Sequence, residues 1–358
     1  MPSAGTQVPV VDIAPFRAAL GTLRSQRQGA DRGGACAALP EDARRVAQQW
    51  REAFSTYGFC QVTGHGVPDD AIEAAYGAAR RFFSLPAEGK LRCDLGKGYG
   101  FGGFTAQGKE RVSATASEQP DGQVLGSEAA RPPDRVESMV VYGTEEDLVP
   151  SGVEGYKDAV HGYHDGMKQL LKVVMALTAC SLDLDFDYFE PFYASKTAEG
   201  SLRLAYYPAF EEGQEPLPKQ LRYGEHTDYT GFTLLWQDHN VAGLQTATDL
   251  RPPQGGLQVR MPDGSFVDCP PMPGAFTVNA GDLIQVWTND VFLSNVHRVV
   301  NPPPGDRNDR ISMVFFTGPA ADTVVEALPT CVGPRQPAKY APVTAGEHLQ
   351  KKLFASNK

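Results

Sequence analysis

From residue 199 onward the chain becomes a series of short apolar runs: LRLAYYP, the stretch after His226, VDC, AFTVN, NVHRVV and ISMVFFTG. Each is rich in Val, Leu, Phe or Tyr and is cut off by Gly, Pro or Asp, the signature of strands joined by turns. Strands this short and this closely punctuated read as an antiparallel set. The punctuation favours a sandwich or jelly roll closed on itself, which removes exposed sheet edges.

Upstream the pattern is different. VPVVDIA at 8–14 reads as a short strand, and the Ala/Gly/Arg-rich segment at 18–40 as a surface insertion. Val46, Trp50 and Phe54 recur every four residues and predict a helix over 41–57. Phe59-Cys60-Gln61-Val62 reads as a strand, and Pro68-Asp69-Asp70 opens a second helix over 68–83. GKGYGFGGF at 96–104 reads as a loop, 112–133 as a polar loop, and 154–182 as a long helix. Helix signals followed by an antiparallel half give an α+β layout. The predicted organisation is a single domain over 1–358. A mostly helical region (1–110) is followed by a polar loop insertion (111–135) and helical support (136–198). A jelly-roll core (199–320) and a C-terminal tail (321–358) complete it.

Composition narrows the function. A chain of 358 residues with 41% hydrophobic and 21% charged residues suits a soluble globular protein. A formal net charge of −10 disfavours a nucleic-acid backbone as partner, and no apolar run has membrane-span length. The N-terminus lacks a basic start followed by a long apolar stretch, so no secretion signal is expected. Six cysteines without CxxC spacing read as reduced, buried thiols of a cytoplasmic protein. The expectation is a monomeric enzyme acting on a small molecule.

The chemistry centres on 223-YGEHTDYTGFTLLWQD-238. On a strand, residues i and i+2 share a face, so His226 and Asp228 would present an imidazole and a carboxylate together. HxD alone arises by chance in a chain with seven histidines. His297 in SNVHRVV is the best third ligand, and two histidines with one carboxylate form the facial triad that leaves positions open on Fe(II). Arg310 and Ser312 in RISMVFF repeat the i, i+2 geometry. Their guanidinium and hydroxyl suit the carboxylate end of a dicarboxylic ligand. The Pro-rich turn over 302–309 would set His297 and Arg310 on neighbouring strands.

With these motifs in place the chain resembles the Fe(II)/2-oxoglutarate-dependent dioxygenases, in the branch that includes isopenicillin N synthase and plant-type enzymes. The resemblance runs from VPVVDIAPF through GFCQVTGHGVPDD, DRVESMVVYG, LRLAYYP, GEHTDYTGFTLLWQD, VNAGDLIQVWTND, HRVV and RISMVFF to APVTAGEHLQKKL. It implies a distorted double-stranded β-helix with His226, Asp228 and His297 as iron ligands. Arg310 and Ser312 would bind the far carboxylate of 2-oxoglutarate, with Tyr207 hydrogen-bonding the same cosubstrate. It further implies O2 as co-reactant, ascorbate as a supporting reductant, and secondary metabolism as the setting. The usual Asn before the YYP tyrosines is Ala205 here, and the 18–40 and 112–133 insertions are long. Three alternatives stand beside it: an isopenicillin N synthase-type oxidase that does not use 2-oxoglutarate, a non-catalytic small-molecule binder, and a zinc hydrolase.

Other residues have simpler readings. His65 reads as a turn histidine, His161 and His164 as a solvated helix face, and His239 and His348 as carrying no signal. Of Phe232 and Trp236, at least one reads as core. Gly281-Asp282 reads as a turn and helix cap, and Arg298 as a structural ion pair. Tyr99, Phe101, Phe104, Tyr229, Thr230, Phe292 and Leu293 are candidates for lining a substrate pocket.

Overall fold

The structure is a computed structural model that describes residues 7–26, 39–98, 100–112, 132–195, 198–213, 215–238, 256–303, 305–306 and 308–356. The helices are α1 (Ala14–Gln26), α2 (Glu41–Thr56), α3 (Asp69–Phe83), α4 (Ala87–Leu91), α5 (Tyr156–Ser181), α6 (Glu190–Tyr193), α7 (Asp282–Trp287) and α8 (Ala345–Ser356). The strands are β1 (Val10–Asp12), β2 (Phe59–Thr63), β3 (Gly103–Thr105), β4 (Glu137–Val141), β5 (Ala198–Tyr207), β6 (Tyr223–His226) and β7 (Phe232–Gln237). They continue with β8 (Leu257–Arg260), β9 (Phe266–Asp268), β10 (Phe276–Ala280), β11 (His297–Val299), β12 (Arg310–Ala320), β13 (Val324–Val325) and β14 (Val343–Thr344).

Two sheets make the body: an eight-stranded one in the order β1-β2-β10-β7-β12-β5-β4-β3 and a four-stranded one in the order β6-β11-β8-β9. Period-2 alternation gives the large sheet two distinct faces. On β12, Ile311, Met313 and Phe315 are fully buried in the main core, whereas Arg310, Ser312, Val314 and Phe316 line a cavity. On β7, Phe232 and Leu234 join that core while Thr233 and Leu235 line the cavity. β5 follows the same rule, with Leu202 and Leu204 on one side and Arg203 and Tyr207 on the other.

The helices cover the core-facing side. Trp50 on α2 donates from Nε1 to Thr178 Oγ1 on α5 at 3.1 Å. Phe54, one turn later, packs edge-on against Phe232 with ring centroids 5.2 Å apart. The every-fourth-residue stripe on α2 is thus the seam between helices and sheet.

Several expectations need correction. α1 runs to Gln26, through the first part of the supposed 18–40 insertion, because Phe16, Ala19 and Leu20 give it a buried stripe; residues 27–38 lie outside the described residues. GFGGF is not wholly loop: Gly103–Thr105 form an edge strand paired with β4. Most of the polar 112–133 segment lies outside the described residues. His164 is buried, not solvated: it hydrogen-bonds Gly200 O at 2.6 Å and meets Phe315 edge-on. Cys180 at the end of α5 is disulfide-bonded, while Cys60, Cys93, Cys269 and Cys331 are free buried thiols. No described helix is long and apolar enough to cross a membrane.

Phe232 has no exposed surface and contacts both Trp50 and Phe54. Phe232→Ala is therefore expected to cost about 3–5 kcal/mol, read as a lower urea midpoint with an unchanged slope.

Candidate metal centre

β6 and β11 pair antiparallel with His226 directly opposite His297. Their imidazole centroids are 4.1 Å apart. Asp228 is not on the same strand, contrary to expectation: β6 ends at His226, and Asp228 lies in the connector that leads to β7. It still reaches the same point. One ligand atom from each of His226, Asp228 and His297 lies within 4.8 Å of the others, and all three residues are buried.

The surroundings aim these atoms. His226 Nδ1 meets Gly224 O at 2.8 Å and His297 Nδ1 meets Asn295 O at 3.2 Å, so in each ring a backbone carbonyl engages Nδ1 and leaves Nε2 facing the centre. Asp228 Oδ2 accepts hydrogen bonds from Thr233 Oγ1 and Asn279 Nδ2. Its Oδ1 is left 3.6 Å from His226 Nε2 and 3.8 Å from His297 Nε2. Burial alone would raise the Asp228 carboxyl, but the two histidines and the Asn279 hydrogen bond outweigh it and hold the group well below the usual carboxylate range. Burial, then the neighbouring His226, lowers His297 to about 4. A neutral imidazole beside an ionised carboxylate is the donor set that a divalent cation needs.

The connector is clamped through its backbone. Asp228 O accepts from Asp282 N at 2.9 Å, Thr230 O from Leu283 N at 3.0 Å, and Gly231 O from Gly281 N at 2.8 Å. A Cβ on Gly281 would lie 2.6 Å from Gly231 O, so only glycine permits this approach. Asp282 does more than cap α7: its buried carboxylate accepts from Ser294 Oγ at 2.8 Å and pairs with Lys352 Nζ at 2.7 Å and His348 Nε2 at 3.3 Å. His348, given no role from sequence, therefore helps seat α8.

Two cavities meet at the triad and share Arg203, His226, Asp228 and Phe316. The inner one lies between the sheets and ends at Arg310, Ser312 and Tyr207. Arg310 is buried and directly opposite Tyr207 across β12 and β5. Its Nη2 donates to Gln237 Oε1 at 2.9 Å, but Nε, Nη1 and Ser312 Oγ are buried with no hydrogen-bond partner among the described residues. Such a guanidinium and hydroxyl fit a ligand carboxylate. Arg310 is not on a strand next to His297, as expected: β11 and β12 belong to opposite sheets, and the cavity lies between them.

Of the residues expected at a substrate pocket, Tyr229 and Thr230 line the outer cavity. Phe104 and Phe292 do not: both are buried in the main core, Phe104 against Phe82 and Phe292 against Phe54, because their strand or turn directs them to the helices. Phe101 is 41% exposed and Leu293 is half-buried, and neither lines the two cavities; at that loop the wall is Gly100. Tyr99 lies outside the described residues. Arg203, Phe316, Leu349 and Leu353 line the outer cavity and went unread. Arg203 and Phe316 were legible in principle, as they continue the alternation of Tyr207 and of Ser312.

Residues 198–319 match the model of the 2OG-Fe(II) oxygenase superfamily, and residues 30–140 that of the N-terminal region of non-haem dioxygenases in morphine synthesis. The 2-oxoglutarate-Fe(II) type oxidoreductase hxnY of Emericella nidulans is 31% identical over 352 residues, covering 97% of this chain and 89% of the relative. Homoarginine-6-hydroxylase of Oryza sativa subsp. japonica is 26% identical, with 98% and 97% covered. A full-length Neurospora crassa protein, solved in complex with alpha-KG and thymine, matches with a TM-score of 0.75 at 28% identity, covering 97% of this chain and 96% of that one.

His297 also predicts a pH signature in the metal-free protein. Its folded value near 4 lies below the usual 6.5, so its contribution to stability is complete above about 6.5 and is lost as pH falls toward 4. Asp134, pushed up to about 7 chiefly by burial, titrates in the opposite sense over an overlapping range. The isolating measurement is the difference in unfolding free energy between the natural chain and His297→Gln. It is expected to change by up to about 1.4 kcal/mol per pH unit in that window, in favour of the natural chain as pH rises.

Proposed function

The chain belongs to the 2OG-Fe(II) oxygenase superfamily, and from that premise we propose the assignment of its working parts. It is an oxidoreductase that uses Fe(II) and 2-oxoglutarate. In the proposed assignment His226, Asp228 and His297 hold the iron. Arg310 and Ser312, helped by Tyr207, hold the distal carboxylate of 2-oxoglutarate. The outer cavity receives a small organic substrate, and hydroxylation is the default outcome. One observation carries the assignment: three buried ligand atoms within 4.8 Å share a cavity with the unpartnered donors of Arg310 and Ser312.

Iron with 2-oxoglutarate and O2 supplies an oxidant for a C–H bond of the substrate, with succinate and CO2 released. The chain's own residues do the placing. Arg310, buried and with no ion pair among the described residues, is costly until a carboxylate reaches it, so its charge selects a dicarboxylic cosubstrate and fixes its length against the metal centre. Thr233 and Asn279 hold Asp228 in one rotamer, and Gly224 O and Asn295 O hold the imidazoles. Phe316, Leu349 and Leu353 exclude water from the outer side. Ala205 faces the same inner region as Tyr207 and adds no polar contact there.

Succinate formation is expected only with Fe(II), 2-oxoglutarate and O2 together. Asp228→Ala and His226→Ala are expected to lower it by about a hundredfold or more, and Arg310→Gln to raise the KM for 2-oxoglutarate at least about tenfold. Oxygen uptake that persists without 2-oxoglutarate would place the protein with the isopenicillin N synthase-type oxidases instead.

A further inference from the structure

Two guanidinium groups line the cavities, and they are provided for differently. Arg310 makes no ion pair among the described residues, and its Nε and Nη1 have no hydrogen-bond partner there. Arg203 is equally buried, at 2% exposed, but donates from Nη2 to Glu110 Oε2 at 2.6 Å. Glu110 is 1% exposed, and its other oxygen accepts from Ser138 Oγ at 2.7 Å. The pair is therefore closed on the acid's side. Arg203 lies on the cavity face of β5, opposite Val314, four residue pairs along the sheet from the Tyr207–Arg310 pair. It borders both cavities, so it stands between the anchor and the outer chamber.

Nothing else described in the outer chamber adds charge. Apart from Arg203 and the triad members His226 and Asp228, its wall is neutral, with Val140, Tyr142, Phe316, Leu349 and Leu353 giving it apolar surface. Lys352, behind Tyr229, is already paired with Asp282. A ligand carboxylate at Arg203 would have to compete with Glu110 in a dry site, and two carboxylates at one guanidinium repel. An uncharged oxygen acceptor meets no such penalty.

We propose that Arg203, neutralised by Glu110, binds an uncharged carbonyl-type acceptor of the oxidised substrate, so that this substrate is a neutral, largely apolar molecule carrying a carbonyl near the oxidised carbon. The two arginines then sort the two reactants by charge: the dicarboxylate goes to Arg310, the neutral substrate to Arg203. The inference deepens the reading of the outer cavity as the substrate chamber and rests on it.

The test uses the full chain loaded with Fe(II) and 2-oxoglutarate without oxygen, and a panel of matched probes: benzamide and benzoate, nicotinamide and nicotinate, thymine and uracil-5-carboxylate. Binding is read from the perturbation of the visible iron–2-oxo acid charge-transfer band. In pairs that bind, the neutral member is expected to bind at least about tenfold more tightly than the acid. Glu110→Gln, which removes the counter-charge, is expected to raise affinity for the acids about tenfold and narrow or reverse the preference. Replacing both charges, with Arg203→Met and Glu110→Gln together, removes the buried pair without leaving a lone ion and is the variant to use if the single one does not fold. It is expected to lose affinity for the neutral members about tenfold. A panel in which no neutral member outbinds its acid, a folded Glu110→Gln that gains nothing for acids, or a double variant that keeps its affinity for the neutral probes overturns the inference. If the charge-transfer band itself never forms in the natural chain, the assignment of the iron and 2-oxoglutarate site fails instead.

Discussion

Two histidines face each other across adjacent antiparallel strands, and most of the site is built around holding that pair. The register of β6 against β11 places His226 opposite His297, and a shift of one residue would turn one imidazole away from the cavity. The register is braced outside the site, where Arg298 pairs with Glu225 at 2.8 Å and hydrogen-bonds Gln258 on β8. Inside, backbone carbonyls orient both rings, and the large sheet supplies the two partners of Asp228 from β7 and β10. The ligand centre is thus held by both sheets at once.

Buried charge is the second theme. Several ionisable groups inside have a definite counterpart. Asp282 is matched by Lys352 and His348, and Glu110 by Arg203. Asp228 is stabilised by its hydrogen bonds and by the histidines, while Arg310 has the Gln237 side chain and the face of the Tyr207 ring.

Much of this was legible in the sequence, for reasons that can be stated. Short-range periodicity marked α2, α3 and α5 and the strands of the β half, since both patterns depend on near neighbours. The pairs His226/Asp228 and Arg310/Ser312 were visible as local spacings. What was hidden depends on which sheet a strand joins: β11 and β12 are close in sequence yet lie in opposite sheets, so the site sits between them rather than along one. The turn after His226 was also invisible, so Asp228 was set on a strand it does not occupy. Phe104 and Phe292 show a different limit, because composition cannot tell an aromatic facing a cavity from one facing the helices behind it.

The two chambers draw on different parts of the chain. The inner one is lined by closely paired strands between Arg203 and Phe316, together with Phe59. The outer wall adds Gly100 in the glycine-rich loop, Val140 and Tyr142 at the sheet margin, and Leu349 and Leu353 of the last helix. Under the proposed assignment, reactivity and selectivity thus fall largely to different segments. On that reading, changes near residue 100 or in the last helix reshape the outer chamber while the three ligand residues and the Arg310 end keep their surroundings.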